Sequence, residues 1–197
     1  MIREAPLLIS NQRPSMIFVD FRDSFTYNIL AYLKNWGEIK VITPSDIEAY
    51  LYVDHTRFIW GPGPGLADDY FSNFDSIKKS LSNKTQKHFG ICLGHQLIAR
   101  SLGGVYRKLE SPKHGMSEKI QLPEWSNWGL NNSQLEVQFY NSLVVDINET
   151  DDLRVFKHHN DVLMLSTDRL ITCQFHPESV GTSCPETFFS NVMQNFL

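Results

Sequence analysis

The apolar positions of this chain fall into short blocks whose spacing switches between two periods. Met16-Ile17-Phe18-Val19 is uniformly apolar and ends at Asp20, which reads as a buried strand. Phe25, Ile29, Leu33 and Trp36 then recur at helical spacing, with Ser24 placed to cap the helix and Gly37 to stop it. A second strand is expected over Ile39–Ile42 and a third over Arg57–Trp60, which runs into the turn Gly61-Pro62-Gly63-Pro64-Gly65. Phe71, Phe74, Ile77 and Leu81 mark one face of a further helix. A fourth strand is expected over 88–91, and then a helix over about 93–102, stopped by Gly103-Gly104.

Strands alternating with helices predict an α/β fold with a mostly parallel central sheet flanked by helices. The second half changes character. Short β-rich pieces at 119–122, 135–139, 153–157, Asp161–Ser166 and 170–175 suggest a small antiparallel extension. The last helix has Pro185 in its first turn and Phe189, Val192, Met193 and Phe196 as its packing stripe. Residues 1–15 carry no sustained periodicity and end in Arg13-Pro14-Ser15, so they read as an N-terminal extension to one domain over 16–197, with Met16 a candidate start.

Composition narrows the classes of function. At 197 residues the chain can bury a full core. A net charge of -4 offers no basic field for a phosphate backbone, so nucleic acid is not expected as a partner. No apolar run reaches the ~20 residues that span a bilayer, and a cytoplasmic protein with no membrane association is expected. Three cysteines, Cys92, Cys173 and Cys184, form neither an even framework nor a paired metal-ligand spacing, so neither a disulfide framework nor a zinc site is suggested.

Three segments carry candidate chemistry. In Phe89-Gly90-Ile91-Cys92-Leu93-Gly94-His95-Gln96 a cysteine stands between two glycines, after an apolar strand and before a helix. A sharp strand-to-helix turn lifts such a side chain out of the sheet, and the start of the helix favours the thiolate that attacks. A lone cysteine is as readily a small buried hydrophobe, and the motif by itself leaves both readings open. In Gln174-Phe175-His176-Pro177-Glu178-Ser179 an imidazole at a strand end is followed two residues later by a carboxylate. That pair can take and return a proton, or it can be an ordinary strand-end histidine, the role favoured for His55, His88, His158 and His159. In the Gly61 to Gly65 turn the prolines remove alternate donors and leave glycine amides free for an oxyanion, or the turn is simply rigid. It lacks the Gly-Lys-Ser/Thr ending of a phosphate loop.

Together these segments resemble the class I, triad-type glutamine amidotransferases, and specifically the glutaminase subunits of anthranilate synthase and aminodeoxychorismate synthase. The likeness runs from about Met16 to Leu197. Asp23-Ser24-Phe25-Thr26-Tyr27-Asn28 and Lys113-His114-Gly115 complete five ordered motifs. The resemblance implies Cys92 as nucleophile, His176 as base and Glu178 as its orienter. It implies an oxyanion hole from the amides of Gly63 and Leu93, and a substrate site from Gln96 with the backbone of Ser142 and Leu143. His114 and Gly115 match a segment that faces the synthase partner. Two positions depart from the pattern: Asn141 replaces a histidine, and Gly61 stands where serine is usual.

The implied reaction is hydrolysis of L-glutamine to glutamate and ammonia through a γ-glutamyl thioester, with ammonia passed to a chorismate-using synthase in a heterodimer. No metal or organic cofactor is implied. Rival readings are a non-catalytic regulatory subunit of the same fold and a free-standing cysteine hydrolase of γ-glutamyl compounds. Whether the partner makes anthranilate or aminodeoxychorismate is decided in the partner's own site.

Overall fold

The computed structural model describes residues 16–71 and 74–197. The expected N-terminal extension, and part of the helix expected through 71–81, lie outside the described residues. Nine strands and six helices follow one another as β1 (Met16–Val19), α1 (Thr26–Leu33), β2 (Ile39–Ile42), α2 (Glu48–Leu51), β3 (Arg57–Trp60), α3 (Ala67–Tyr70), α4 (Asp75–Ser82), β4 (Lys87–Ile91), α5 (Leu93–Ser101), β5 (Val105–Gln121), β6 (Gln134–Asp146), β7 (Arg154–His158), β8 (Asp161–Ser166), β9 (Leu170–Cys173) and α6 (Pro185–Phe196) among the described residues.

The main sheet has seven strands in the order β2-β1-β3-β4-β9-β8-β7. From β2 to β9 every neighbour is parallel, and β8 and β7 then extend the edge antiparallel. Each parallel strand alternates its side chains between two packed faces. Met16, Phe18, Ile59 and Phe89 meet Ile29 and Leu33 of α1 and Phe189, Val192 and Phe196 of α6. Ile17, Val19, Phe58 and Trp60 meet Ile77 of α4 and Leu93, Leu97 and Ile98 of α5. A sheet covered on both faces needs strands apolar throughout, which is why these strands stand out as solid apolar runs. All five parallel strands point their C-terminal ends one way, and β4 and β9 lie side by side there, with Ile91 opposite Cys173. That edge is where open α/β sheets present their chemistry.

The antiparallel extension takes two forms. One is the β8-β7 edge of the main sheet; the other is a separate hairpin of β5 and β6. The hairpin strands, of 17 and 13 residues, are far longer than the pieces expected at 119–122 and 135–139. Most of β5 is exposed and polar, so it has no apolar period to read. Pro112 falls in one register break and Gly115, at φ 70°, in the other, where a strand tolerates both. Two local expectations need correction. The residue entering α1 is Phe25 and no side chain caps it; Asp23 Oδ1 accepts from the Phe25 amide at 2.8 Å instead of Ser24 acting as the cap. The helix expected through 71–81 begins only at Asp75, as α4, and Phe71 instead follows the separate short α3.

Candidate active site

Cys92 joins β4 to α5 with φ 51° and ψ -103°, a conformation that costs a non-glycine residue energy and turns the chain abruptly. Its amide donates to Cys173 O at 2.8 Å, which pins the turn to β9. The flanking glycines have no room to be anything else. A Cβ on Gly94 would stand 2.1 Å from Trp60 O, and one on Gly90 2.8 Å from Gly94 O. The elbow therefore exists because the sequence places a glycine on either side of the strained residue.

His176 follows β9 at the same end of the sheet. Its amide donates to Gln138 O of β6 at 2.9 Å, and Thr182 Oγ1 donates to its carbonyl at 2.7 Å, so the backbone is held from both sides. The ring lies between Phe25, 4.9 Å away, and Tyr140, 5.1 Å away in an edge contact. Nδ1 meets Glu178 Oε1 at 2.6 Å, and both side chains are buried. Glu178 Oε2 has no partner among the described residues, so its charge is directed at the imidazole. Nε2 has no geometric hydrogen-bond partner among the described residues, and Cys92 is among the groups that act on the ring. Burial opposes a charged imidazole, but Cys92 and Glu178 outweigh it and hold the His176 pKa well above the ordinary value. The arrangement favours the charged, imidazolium form of His176.

The other candidates separate cleanly. Burial, then Glu178 and Cys92, push the Cys173 thiol well up, so it stays a buried thiol. Burial lowers His88 to about 3, and its Nδ1 accepts from Trp60 Nε1 at 3.2 Å, a structural role as expected. Beside Cys92 lies a cavity of about 150 Å³ whose walls include Gly63, Leu93, Gln96, His114, Asn141, Ser142 and Leu143. Thus the positions expected for the oxyanion hole and the substrate meet at one opening. Gly63 packs directly under Leu93: a Cβ there would stand 2.6 Å from Leu93 Cδ2. His114 is exposed at the rim, and Gly115 O accepts from Gln138 Nε2 at 3.1 Å. Gln138 thereby joins the 114–115 segment to the backbone of His176. A larger cleft of about 790 Å³, between Leu81, Leu153 and Arg169, opens at the start of β9, away from Cys92.

Both departures from the pattern have structural surroundings. A Cβ on Gly61 would stand 2.8 Å from the tip of the Phe18 ring and 3.0 Å from Val19 O, so a serine here would force the Phe18 ring to move. Asn141 Nδ2 donates to Leu143 O at 3.0 Å, while its buried Oδ1 has no partner among the described residues. Two residues escaped the sequence reading. Gln138 occupies a polar position between the buried Val137 and Phe139 of β6, and Gln174 is a fully buried amide 3.7 Å from the Cys92 sulfur. A glutamine interrupting an apolar run between Cys173 and Phe175 was the available signal.

Residues 17–195 match the family model for glutamine amidotransferase class-I. The chain is 31% identical to anthranilate synthase component 2 of Saccharolobus solfataricus, over 85% of this chain and 91% of that protein. It is 29% identical to aminodeoxychorismate/anthranilate synthase component 2 of Bacillus subtilis, over 92% and 95%. Among solved structures, a candidate GMP synthase subunit from Thermoplasma acidophilum superposes with a TM-score of 0.77 at 20% identity, covering 94% of this chain and 95% of that one, and bears on the fold alone. With an elbow, a buried imidazole-carboxylate pair and a family match across nearly its whole length, this chain belongs to the class I glutamine amidotransferases.

Proposed function

We propose that this chain is the glutaminase subunit of a chorismate-using synthase, with Cys92, His176 and Glu178 as its catalytic groups. The thiolate of Cys92 attacks the side-chain amide carbon of glutamine. The amides of Gly63 and Leu93 hold the tetrahedral oxyanion, where each preorganised donor is worth ~3 kcal/mol. His176 protonates the leaving ammonia, and a water activated by the same ring then hydrolyses the γ-glutamyl thioester to glutamate. Glu178 keeps the imidazole in one tautomer and supports its charge. Gln96, Ser142 and Leu143 bind the substrate at the cavity beside the sulfur. Ammonia passes to the synthase, which docks over His114 and Gly115 in a heterodimer.

The observation that carries this reading is the pairing of a strained, glycine-flanked Cys92 with a His176 whose Nδ1 is bound to a buried Glu178 at 2.6 Å. The relatives named as component 2 of anthranilate and aminodeoxychorismate synthases support the choice of partner class. Glutamine-dependent ammonia release is the test, measured for the chain alone, with a chorismate-using synthase, and for Cys92→Ser. Release should rise when the synthase is added and vanish in Cys92→Ser. A Cys92→Ser protein that releases ammonia at the parent rate would end the reading.

A further inference from the structure

Three amide side chains lie around the elbow, and one backbone carbonyl fixes which way two of them face. A carbonyl oxygen only accepts, so the end of Gln96 that meets Leu143 O at 3.1 Å is its nitrogen. That same nitrogen lies 3.0 Å from the Gln174 amide, so the Gln174 atom facing it is the oxygen. The remaining end of Gln174 is therefore its NH₂ group, which stands 3.7 Å from Cys92 Sγ. Gln174 is fully buried, and an amide so placed costs stability unless both its ends are used. Here the oxygen is used by Gln96, and the nitrogen is left for the sulfur.

We propose that Gln174 is a positioning residue for the nucleophile: its N–H holds the Cys92 sulfur at the elbow and favours the anion, while Gln96 keeps that amide turned the right way. This rests on Cys92 being the nucleophile. A thiol is a weak acceptor and a thiolate a much better one, so the contact strengthens as the sulfur ionises. Unlike His176, Gln174 neither carries charge nor exchanges a proton, so its donation persists through the catalytic cycle. The chain of contacts starts at Leu143 of β6, on the cavity wall, so the amide beneath the sulfur is braced from the strand segment proposed to take the substrate.

The test is the pH dependence of Cys92 alkylation by iodoacetamide, read on the whole chain in a Cys184→Ser background because Cys184 is exposed. Gln174→Met keeps the length of the side chain and removes the donor. The pH of half-maximal alkylation should move up by about one unit, the scale of one charge-assisted hydrogen bond. Gln96→Met leaves the buried residue intact and frees its amide to turn, which should move the midpoint in the same direction by less. A folded Gln174→Met with the parent midpoint overturns the proposal; should that variant not fold, the parent midpoint in Gln96→Met does so. A moved midpoint in an enzyme that releases no ammonia with the synthase would count against the functional reading and leave this contact standing.

Discussion

At the scale of single residues the site works by electrostatic asymmetry. Glu178 is buried, spends one oxygen on His176 and keeps the other without a partner among the described residues, so nearly all of its field falls on the imidazole. Glu178→Gln preserves the shape and removes the charge, and kcat for glutaminase activity should fall ~10²- to 10⁴-fold with a smaller change in KM. Gly63 tests a different part. Its missing Cβ leaves room for Phe21 and Leu93, so Gly63→Ala must displace both of them. Because Leu93 carries a proposed oxyanion amide, kcat should drop on the order of 10²- to 10³-fold, the cost of one misplaced donor. Steady-state kinetics with saturating synthase read both variants.

At the scale of elements, what the sequence made visible follows from burial. Strands covered on both faces are apolar throughout, so β1, β3, β4 and β9 announced themselves, and with them the strand ends that carry Cys92 and His176. Most of β5 is exposed, so nothing in its sequence marks the hairpin's length. Although β6 alternates buried Leu135, Val137 and Phe139, the long-range contacts of its Gln138 and Asn141 were not legible from that pattern. Geometry between distant segments was likewise invisible: Cys92 and His176 are adjacent only because β4 pairs with β9. The turn after β3 offers a test at this scale. Gly61→Ser should destabilise the fold by ~1–3 kcal/mol through overpacking against Phe18, and Phe18→Leu should restore much of the loss in a double-mutant cycle by urea unfolding.

At the scale of the whole molecule, two buried histidines couple the fold to pH. Burial lowers His88 and His95 to about 3 each. Above pH ~6.5 both rings are neutral folded or unfolded. Below it the unfolded chain takes up protons that the fold refuses until about pH 3, so stability falls as pH falls through that window. The urea midpoint should therefore decline from pH ~6.5 downward, and His88→Gln should flatten the decline. His176 acts on the other side. Its raised pKa lends stability below pH ~6.5 that is lost as pH rises through the folded value.

These scales meet in one event of the proposed chemistry: a parallel sheet carries a sulfur and an imidazole to the same edge, where glutamine would be attacked. Mass analysis of enzyme mixed with glutamine and synthase, then quenched in acid, catches that event as a covalent adduct. The parent protein should carry a γ-glutamyl group on the peptide containing Cys92, and Cys92→Ser should carry none. Ammonia release at full rate with Cys92 never modified would contradict it.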